Sequence, residues 1–374
     1  MKFTAAVVGA GRQGLCAAYD LARLDSVGRV RVLDRDGACL EQAASVLEGL
    51  GVVDRCEFRI ADAAQPASLP DALRGAQGVF SSVPFRYGFD VCKAAVEVGA
   101  HAVDLGGNLD QSARIHGLAA EAKARNLSVA PDCGLMPGLG NVLGAWAIAE
   151  LERQGGREIE VELRCGGLPQ TPRNALGYEL VFSFDGLINE YDGQSMVVRD
   201  GGVAVEPALE DIVEFTHPRL GELECATTSG GTSTAPETFA RRVKTYRYKT
   251  VRYRGHFTFF RTLKRLGGFA PERRAALRGL LEPALAVDEP RDLVLLRVDA
   301  AARGGARVSR ELFDLRDAQT GFTAMERTTA FPAAAVLELA MEGALPSGGI
   351  RLERDLPVDE YLSRVARRGI VFSH

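Results

Sequence analysis

At 374 residues and 40.1 kDa the chain is too long for one ordinary domain and suggests two or three. Its 46% hydrophobic and 25% charged residues are those of a soluble globular protein, and a net charge of −4 argues against a nucleic-acid binder. No apolar run approaches the ~18 residues of a transmembrane helix, and Lys2 leads straight into a strand and a glycine loop rather than a signal peptide. Residues 3–8, 29–33, 56–60, 78–82, 101–104 and 127–130 read as short β-rich runs separated by helical stretches. Between the first two runs, Leu15, Ala18, Tyr19 and Ala22 form an apolar face, with Asp20 and Arg23 expected to turn away from it. Between the fourth and fifth, Phe89, Cys92 and Val96 oppose Lys93 and Glu97, and Gly99 ends the helix. The pattern predicts a doubly wound parallel sheet of order 3-2-1-4-5-6, in an α/β domain over residues 1–133.

The first run meets its helix at Gly9, Gly11, Arg12, Gln13 and Gly14, a GxGxxG loop in the context that binds a dinucleotide. Gly9 permits the turn, Gly11 lets the backbone approach a pyrophosphate, and Gly14 lets helix and strand pack closely. Asp34 ends the second run 20 residues beyond Gly14, where an acid accepts from the ribose hydroxyls and repels a 2′-phosphate. Arg35 beside it would pair with such a phosphate. NAD is the expected cofactor, ahead of NADP. Asp62 is read either as a partner of the adenine amino group or as the cap of the next turn. Ser82, Val83 and Pro84 close the fourth run where the chain would pass the nicotinamide ring.

From Arg157 the pattern changes. Residues 158–165, 178–183, 211–215, 244–253, 293–300 and 307–315 read as strands, and 196–199 with 203–205 as a hairpin turning at Asp200-Gly201. Helices are expected at 236–243, 257–266 and 271–285, then at 332–343 and 358–368. This is an α+β substrate domain on a mainly antiparallel sheet over 134–330, followed by a tail, 331–374, expected to pack back on the first domain. Residues 241–265 hold ten Lys/Arg, six aromatics and no acid. The plainest reading is a solvated basic face, with Arg252 and His256 the part that reaches a cleft and meets an anionic group. Seven scattered cysteines without close pairs fit neither a disulfide framework nor a zinc site, so a cytoplasmic protein without structural metal is expected.

Several stretches together resemble the saccharopine dehydrogenase-like oxidoreductases, and most closely their L-lysine 6-dehydrogenase branch. They are VDLGGN at 103–108, PDCGLMPG at 131–138 with Asn141, GGLPQ at 166–170, LINEY at 187–191, TSGGTST at 228–234 and KTVRYRGH at 249–256. Cys225-Ala226 and Arg254 depart from that pattern, where an aromatic-rich pair and a proline are expected. The resemblance implies NAD-dependent oxidative deamination of the ε-amino group of lysine to allysine, which cyclises to piperideine-6-carboxylate, in a homo-oligomer. The alternative is reductive condensation of an amine with a carbonyl, as in saccharopine or carboxyspermidine-type enzymes. A small amino acid or amine is the expected partner, and neither nucleic acid nor membrane is.

The chemistry asks for a base, because an ε-ammonium of pKa ~10.4 must lose its proton before the adjacent carbon releases hydride. Asp104 and Asp132, at the ends of the fifth and sixth runs, are the first candidates; each is alternatively a cap, of the turn before Gly106 and of a helix entered at Pro137. Cys133 is expected to line the pocket, with a depressed thiol pKa near a cationic substrate. His256 is the one histidine inside a matching stretch. Arg252 is the first choice for the substrate's α-carboxylate, with Tyr178, Thr228 and Ser229 as further pocket candidates. In this arrangement lysine lies with its ε-amine at the nicotinamide and its carboxylate on the basic strand.

Overall fold

The computed structural model describes residues 2–180 and 183–373. The chain divides into two units, the first running to Val142 and taking in Glu326–Gly369, the second made of Leu143–Met325 and the last residues from Ile370. Among the described residues no helix is long and apolar enough to cross a membrane.

Unit 1 begins β1 (Phe3–Val8), α1 (Arg12–Arg23), β2 (Val27–Asp34), α2 (Gly37–Gly49), β3 (Cys56–Ile60), α3 (Leu69–Leu73) and β4 (Gly78–Ser81). It continues with α4 (Phe85–Glu97), β5 (His101–Asp104), α5 (Leu109–His116), α6 (Ala119–Ala124), β6 (Ser128–Ala130) and α7 (Gly140–Arg153), which carries the chain into unit 2. Strands β1 and β4 have no exposed face because helices cover both sides of a parallel sheet, and Ala5, Ala6, Val7, Val79 and Phe80 are wholly buried. Each fully buried side chain of Val or Phe size contributes roughly 1.5–3 kcal/mol. The six strands lie in the expected order 3-2-1-4-5-6, all parallel. Gly99 ends α4 with φ +81°. Asp20 corrects the reading of α1: it is buried, and its carboxylate takes a 2.8 Å bond from Nε of Arg368, 348 residues away.

Unit 2 holds β7 (Arg157–Pro169), α8 (Phe184–Asp192), β8 (Gln194–Arg199), β9 (Gly202–Pro207), β10 (Val213–His217), β11 (Gly221–Ala226), α9 (Ala235–Phe239) and β12 (Thr245–Tyr253). Then follow α10 (His256–Arg265), α11 (Arg274–Leu285), β13 (Asp292–Arg303) and β14 (Arg307–Leu315). Helix α12 (Ala324–Met341) returns the chain to unit 1, where β15 (Gly348–Gly349), α13 (Leu352–Asp355) and α14 (Val358–Arg367) complete it. There β15 adds a seventh parallel strand beside β6. The closing β16 (Phe372–Ser373) pairs with β14 in unit 2.

The second sheet runs β10-β11-β12-β7-β13-β14-β16, with the β8–β9 hairpin attached through β12. Only β12 and β7 pair in parallel; the other neighbours are antiparallel. Two expectations are corrected here. Tyr178–Leu180 is not a strand, and the rest of that expected run, 181–182, lies outside the described residues. Nor is β12 a solvated basic face: it is an interior strand between β11 and β7, and Tyr246, Lys249, Thr250 and Arg252 on it are buried. Lys249 neutralises its charge on Asp211 at 2.6 Å. Helices α8, α10 and α11 share a core of Phe184, Leu187, Ile188, Tyr191, Phe257, Phe260, Leu277 and Leu281.

Candidate functional site

In unit 1 the loop after β1 is shaped by what a side chain there would strike. Gly9 has φ +99°, and a Cβ on Gly14 would lie 1.7 Å from the Gly9 carbonyl oxygen. A Cβ on Gly11 would meet nothing within 4 Å, so its backbone faces open space at the uncapped start of α1. A helix start and its dipole directed into open space suit an anionic pyrophosphate. Arg12 is exposed and Gln13 half-buried on the same first turn. Asp34 does more than end β2: its Oδ2 accepts from the Ala10 N–H at 2.7 Å and its Oδ1 from the Asp36 N–H at 3.0 Å. A carboxylate has capacity left for ribose hydroxyls after both bonds. Arg35 beside it is exposed. The Ser82 hydroxyl lies 2.8 Å from the carbonyl oxygens of both Val8 and Gly9 and shares its one hydrogen between them, which ties the end of β4 to the glycine turn. Val83 packs partly against the apolar core, and Pro84 starts α4. Asp62 caps its turn, accepting from the Ala64 N–H at 2.9 Å.

The carboxyl ends of β5 and β6 bring two acids together. Asp104 is buried, its Oδ1 accepting from the Gly106 N–H at 2.8 Å, so the capping bond before Gly106 does form. Burial pushes its carboxyl up to about 6, against the pull of the nearby Ser81 hydroxyl and of the Gly106 N–H, and the charge of Asp132 adds to the rise. Asp132 is buried as well, holds φ +60°, and accepts from the Ser112 hydroxyl at 2.7 Å. Gly106 has to be glycine, since it sits at φ +81° and a Cβ there would lie 2.2 Å from Oδ1 of Asp132. Cys133 corrects its expectation. Its thiol is wholly buried and donates to the Ala130 carbonyl at 3.2 Å, and burial together with Asp132 and Asp104 pushes its pKa well up rather than down.

In unit 2 a second cluster forms around Arg252. The Leu176 carbonyl can only accept, so His256 donates to it from Nδ1 at 3.2 Å, and Nε2 accepts from the Tyr191 hydroxyl at 2.8 Å. Tyr191 in turn accepts from Nε of Arg252 at 3.0 Å. Burial and the Arg252 charge hold the His256 pKa well below the usual range. With both ring nitrogens committed and the ring out of water, His256 is a positioning group for Tyr191 and Arg252. Nη1 of Arg252 donates to the Val251 carbonyl at 2.9 Å, its guanidinium lies 4.9 Å from the centre of the Tyr178 ring, and Nη2 faces Oε2 of Glu190 at 3.6 Å. Thr228 shares a 2.6 Å hydroxyl contact with Thr250, and the Ser229 hydroxyl donates to the Asn189 carbonyl at 2.7 Å. Ser229 is therefore a brace of the end of α8 rather than an open pocket hydroxyl.

Glu190 and Tyr191 escaped the sequence reading as site residues, although both stand in the LINEY stretch. The missing signal was the helix: α8 puts Tyr191 into the apolar core and Glu190 beside it, facing Arg252. Glu190 is also tuned, burial raising its carboxyl to about 7 against the pull of Arg252. Among the described residues no cluster of three or more His, Cys, Asp or Glu could hold a metal, and all seven cysteines are free.

Comparison with known families and structures places the chain. Residues 5–129 match the saccharopine dehydrogenase NADP binding domain, and 134–370 match the saccharopine dehydrogenase C-terminal domain. Among solved structures, apo saccharopine dehydrogenase (L-Glu forming) from Saccharomyces cerevisiae is similar over 99% of both chains, with a TM-score of 0.78 at 18% identity. That is a likeness of fold. A looser one, with a TM-score of 0.44 at 12% identity, links 99% of this chain to 95% of a myo-inositol dehydrogenase from Corynebacterium glutamicum. GenD2 from gentamicin A biosynthesis, in complex with NAD, stands at a TM-score of 0.47 and 11% identity, over 98% of this chain and 92% of that one.

Proposed function

The chain belongs to the saccharopine dehydrogenase family of oxidoreductases, with a nicotinamide-dinucleotide-binding domain, and we propose that it oxidises the ε-amine of L-lysine with NAD, releasing ammonia and allysine, which cyclises to piperideine-6-carboxylate. One observation carries the reading. At the carboxyl ends of β5 and β6, where open α/β sheets take their ligands, lies a buried acid pair whose Asp104 carboxyl stands near 6. A base of that strength is charged at neutral and alkaline pH, attracts an ammonium, and takes its proton when the amine is oxidised. The Asp132 charge that adds to the rise of Asp104 also favours the positive charge that develops on nitrogen as hydride departs from C6. The bound nicotinamide supplies the hydride acceptor. The loop Gly9–Gly14 fits a pyrophosphate, and Asp34 favours an unphosphorylated ribose over one bearing a 2′-phosphate. Hydrolysis of the resulting iminium needs a water, which a carboxylate of this pair would activate.

Arg252 supports the amino-acid half of the reading. It is a buried cation with its Nε and Nη1 already bonded, which leaves Nη2 for a carboxylate. The experiment is a direct one. Lysine alone should reduce NAD in the presence of the protein. Oxidation of a reduced nicotinamide that requires an amine together with a carbonyl compound would assign the reductive condensation instead.

A further inference from the structure

Arg252 and Glu190 form an ion pair that is left open. Arg252 is 2% exposed, yet the distance of 3.6 Å from its Nη2 to Oε2 of Glu190 is too long for a hydrogen bond. Oε2 of Glu190 is itself buried with no hydrogen-bond partner, and so is the hydroxyl of Tyr178, whose ring lies against the guanidinium. Buried charges that stop short of full bonding give up hydration without full return, which marks a place for a ligand that completes the bonds. The Glu190 side chain keeps 28% exposure while its Oε2 is buried, so solvent touches the glutamate but not the oxygen that faces Arg252, and a ligand reaches that oxygen only by displacing the glutamate's outer atoms.

Neither partner is free to drift. Arg252 is fixed by Tyr191 and by the Val251 carbonyl. Glu190 sits on the last turn of α8, where the Ser229 N–H donates to its backbone carbonyl at 2.9 Å and the Ser229 hydroxyl to that of Asn189. The start of α8 is held as well, by the Ser183 hydroxyl accepting from the Gly186 N–H at 3.1 Å. The outcome is a fixed carboxylate and a fixed guanidinium side by side. An α-amino acid carries the complement, an ammonium and a carboxylate on one carbon, their charges about 3 Å apart. Few other small molecules present both signs at that spacing.

We infer that Glu190 and Arg252 form a subsite for the zwitterionic head of an α-amino acid, Glu190 reading the α-ammonium and Arg252 the α-carboxylate. This deepens the reading of lysine as substrate and rests on it for the rest of the substrate chain. The α-ammonium takes up the unbonded oxygen of Glu190, and its charge offsets the repulsion between Glu190 and the incoming carboxylate. A ligand with a carboxylate but no α-amino group meets that repulsion unrelieved, and a diamine lacks a partner for Arg252. Glu190 is in this account a specificity residue and takes no part in hydride or proton transfer at C6.

The test compares binding of L-norleucine, which has the head group but no ε-amine, with binding of hexanoate, which lacks the α-amino group. Calorimetric titration of the full chain, with and without NADH, should give norleucine a preference of about tenfold or more. Glu190→Gln keeps the size of the side chain and removes the charge; it should bring the two ligands to within about threefold of each other. In turnover the same variant should raise KM for lysine about tenfold or more, leave kcat within about threefold, and lower KM for 6-aminohexanoate, whose carboxylate no longer meets the Glu190 charge. Equal binding of norleucine and hexanoate by the unaltered protein, or an undiminished preference in Glu190→Gln, would overturn the subsite. The two readings fail separately. A protein that prefers norleucine through Glu190 but does not oxidise lysine keeps the subsite and refutes the reaction.

Discussion

Replacing Asp104 by asparagine should stabilise the protein, and more so at higher pH. The carboxyl titrates near 6 in the folded chain against an ordinary value of 3.8, a difference of 6 − 3.8, or about two pH units, caused first by burial. At about 1.36 kcal/mol per unit this amounts to roughly 3 kcal/mol of differential interaction. Because the folded value is raised, the folded state binds the proton more tightly than the unfolded one. The carboxyl therefore costs nothing below the unfolded pKa, begins to destabilise as pH rises through 3.8, and exerts its full cost above about 6. At pH 5 roughly half of that cost is present. The amide oxygen of the introduced asparagine still accepts from the Gly106 N–H, and the substitution removes both the buried charge and its repulsion by Asp132. Urea unfolding of the cofactor-free protein, followed by far-ultraviolet circular dichroism, measures the difference. The stability advantage of Asp104→Asn over the unaltered protein should widen by about 1.5 kcal/mol between pH 5 and pH 8. An advantage that is flat across this range, or a variant less stable at pH 8, would refute the raised carboxyl.

Other substitutions address other parts of the account. Gly14→Ala places a methyl group 1.7 Å from the Gly9 carbonyl oxygen, so the turn must open; NADH binding by fluorescence titration should fall at least 100-fold, or about 3 kcal/mol, and a variant that binds NADH normally would show that the turn is not the phosphate cradle. Asp34→Ala should weaken NAD and narrow its advantage over NADP, and unaltered protein that used NADP equally well would transfer the choice to Arg35. Arg252→Lys keeps the charge but loses the planar fork, so the preference for lysine over cadaverine should shrink by roughly 5- to 150-fold in kcat/KM; an unchanged preference would remove Arg252 from carboxylate binding. Cys133→Ala removes a buried, protonated thiol and should lower kcat by less than about threefold, whereas a loss of about 100-fold would restore the thiol to the chemistry.

The sheet of unit 1 was readable because its strands are short apolar runs with helices of clear period between them, and consecutive βαβ units admit little choice of order. The two-residue strand Gly348–Gly349 gave no such signal: it has no side-chain pattern, and its partner β6 is over 200 residues back in the chain. Strand β11 was missed for a related reason. Its Gly221, Glu222 and Glu224 resemble a polar turn until β10 and β12 pair on either side. Charge misled twice. Asp20 and the basic residues of β12 were assigned to solvent by type, and what buries them is a distant partner, Arg368 for the first and a central place in a sheet for the others. Strand ends pointed to Asp104 and Asp132, and the basic stretch together with the family resemblance to Arg252 and His256, whereas proton affinity was out of reach. Burial alone separates the Cys133 thiol, pushed up, from one activated as a nucleophile, and hydrogen bonding alone shows that His256 has no nitrogen to spare.

The reaction itself is tested most directly with L-lysine carrying deuterium on C6, incubated with the protein and NAD at alkaline pH. The account predicts reduced nicotinamide that contains one deuterium, a kcat/KM lowered by a primary isotope effect when hydride transfer limits the rate, and piperideine-6-carboxylate as the product trapped. Unlabelled NADH from the same substrate would place the oxidation at another carbon, and no reduction of NAD at all would contradict the assignment of lysine as the substrate.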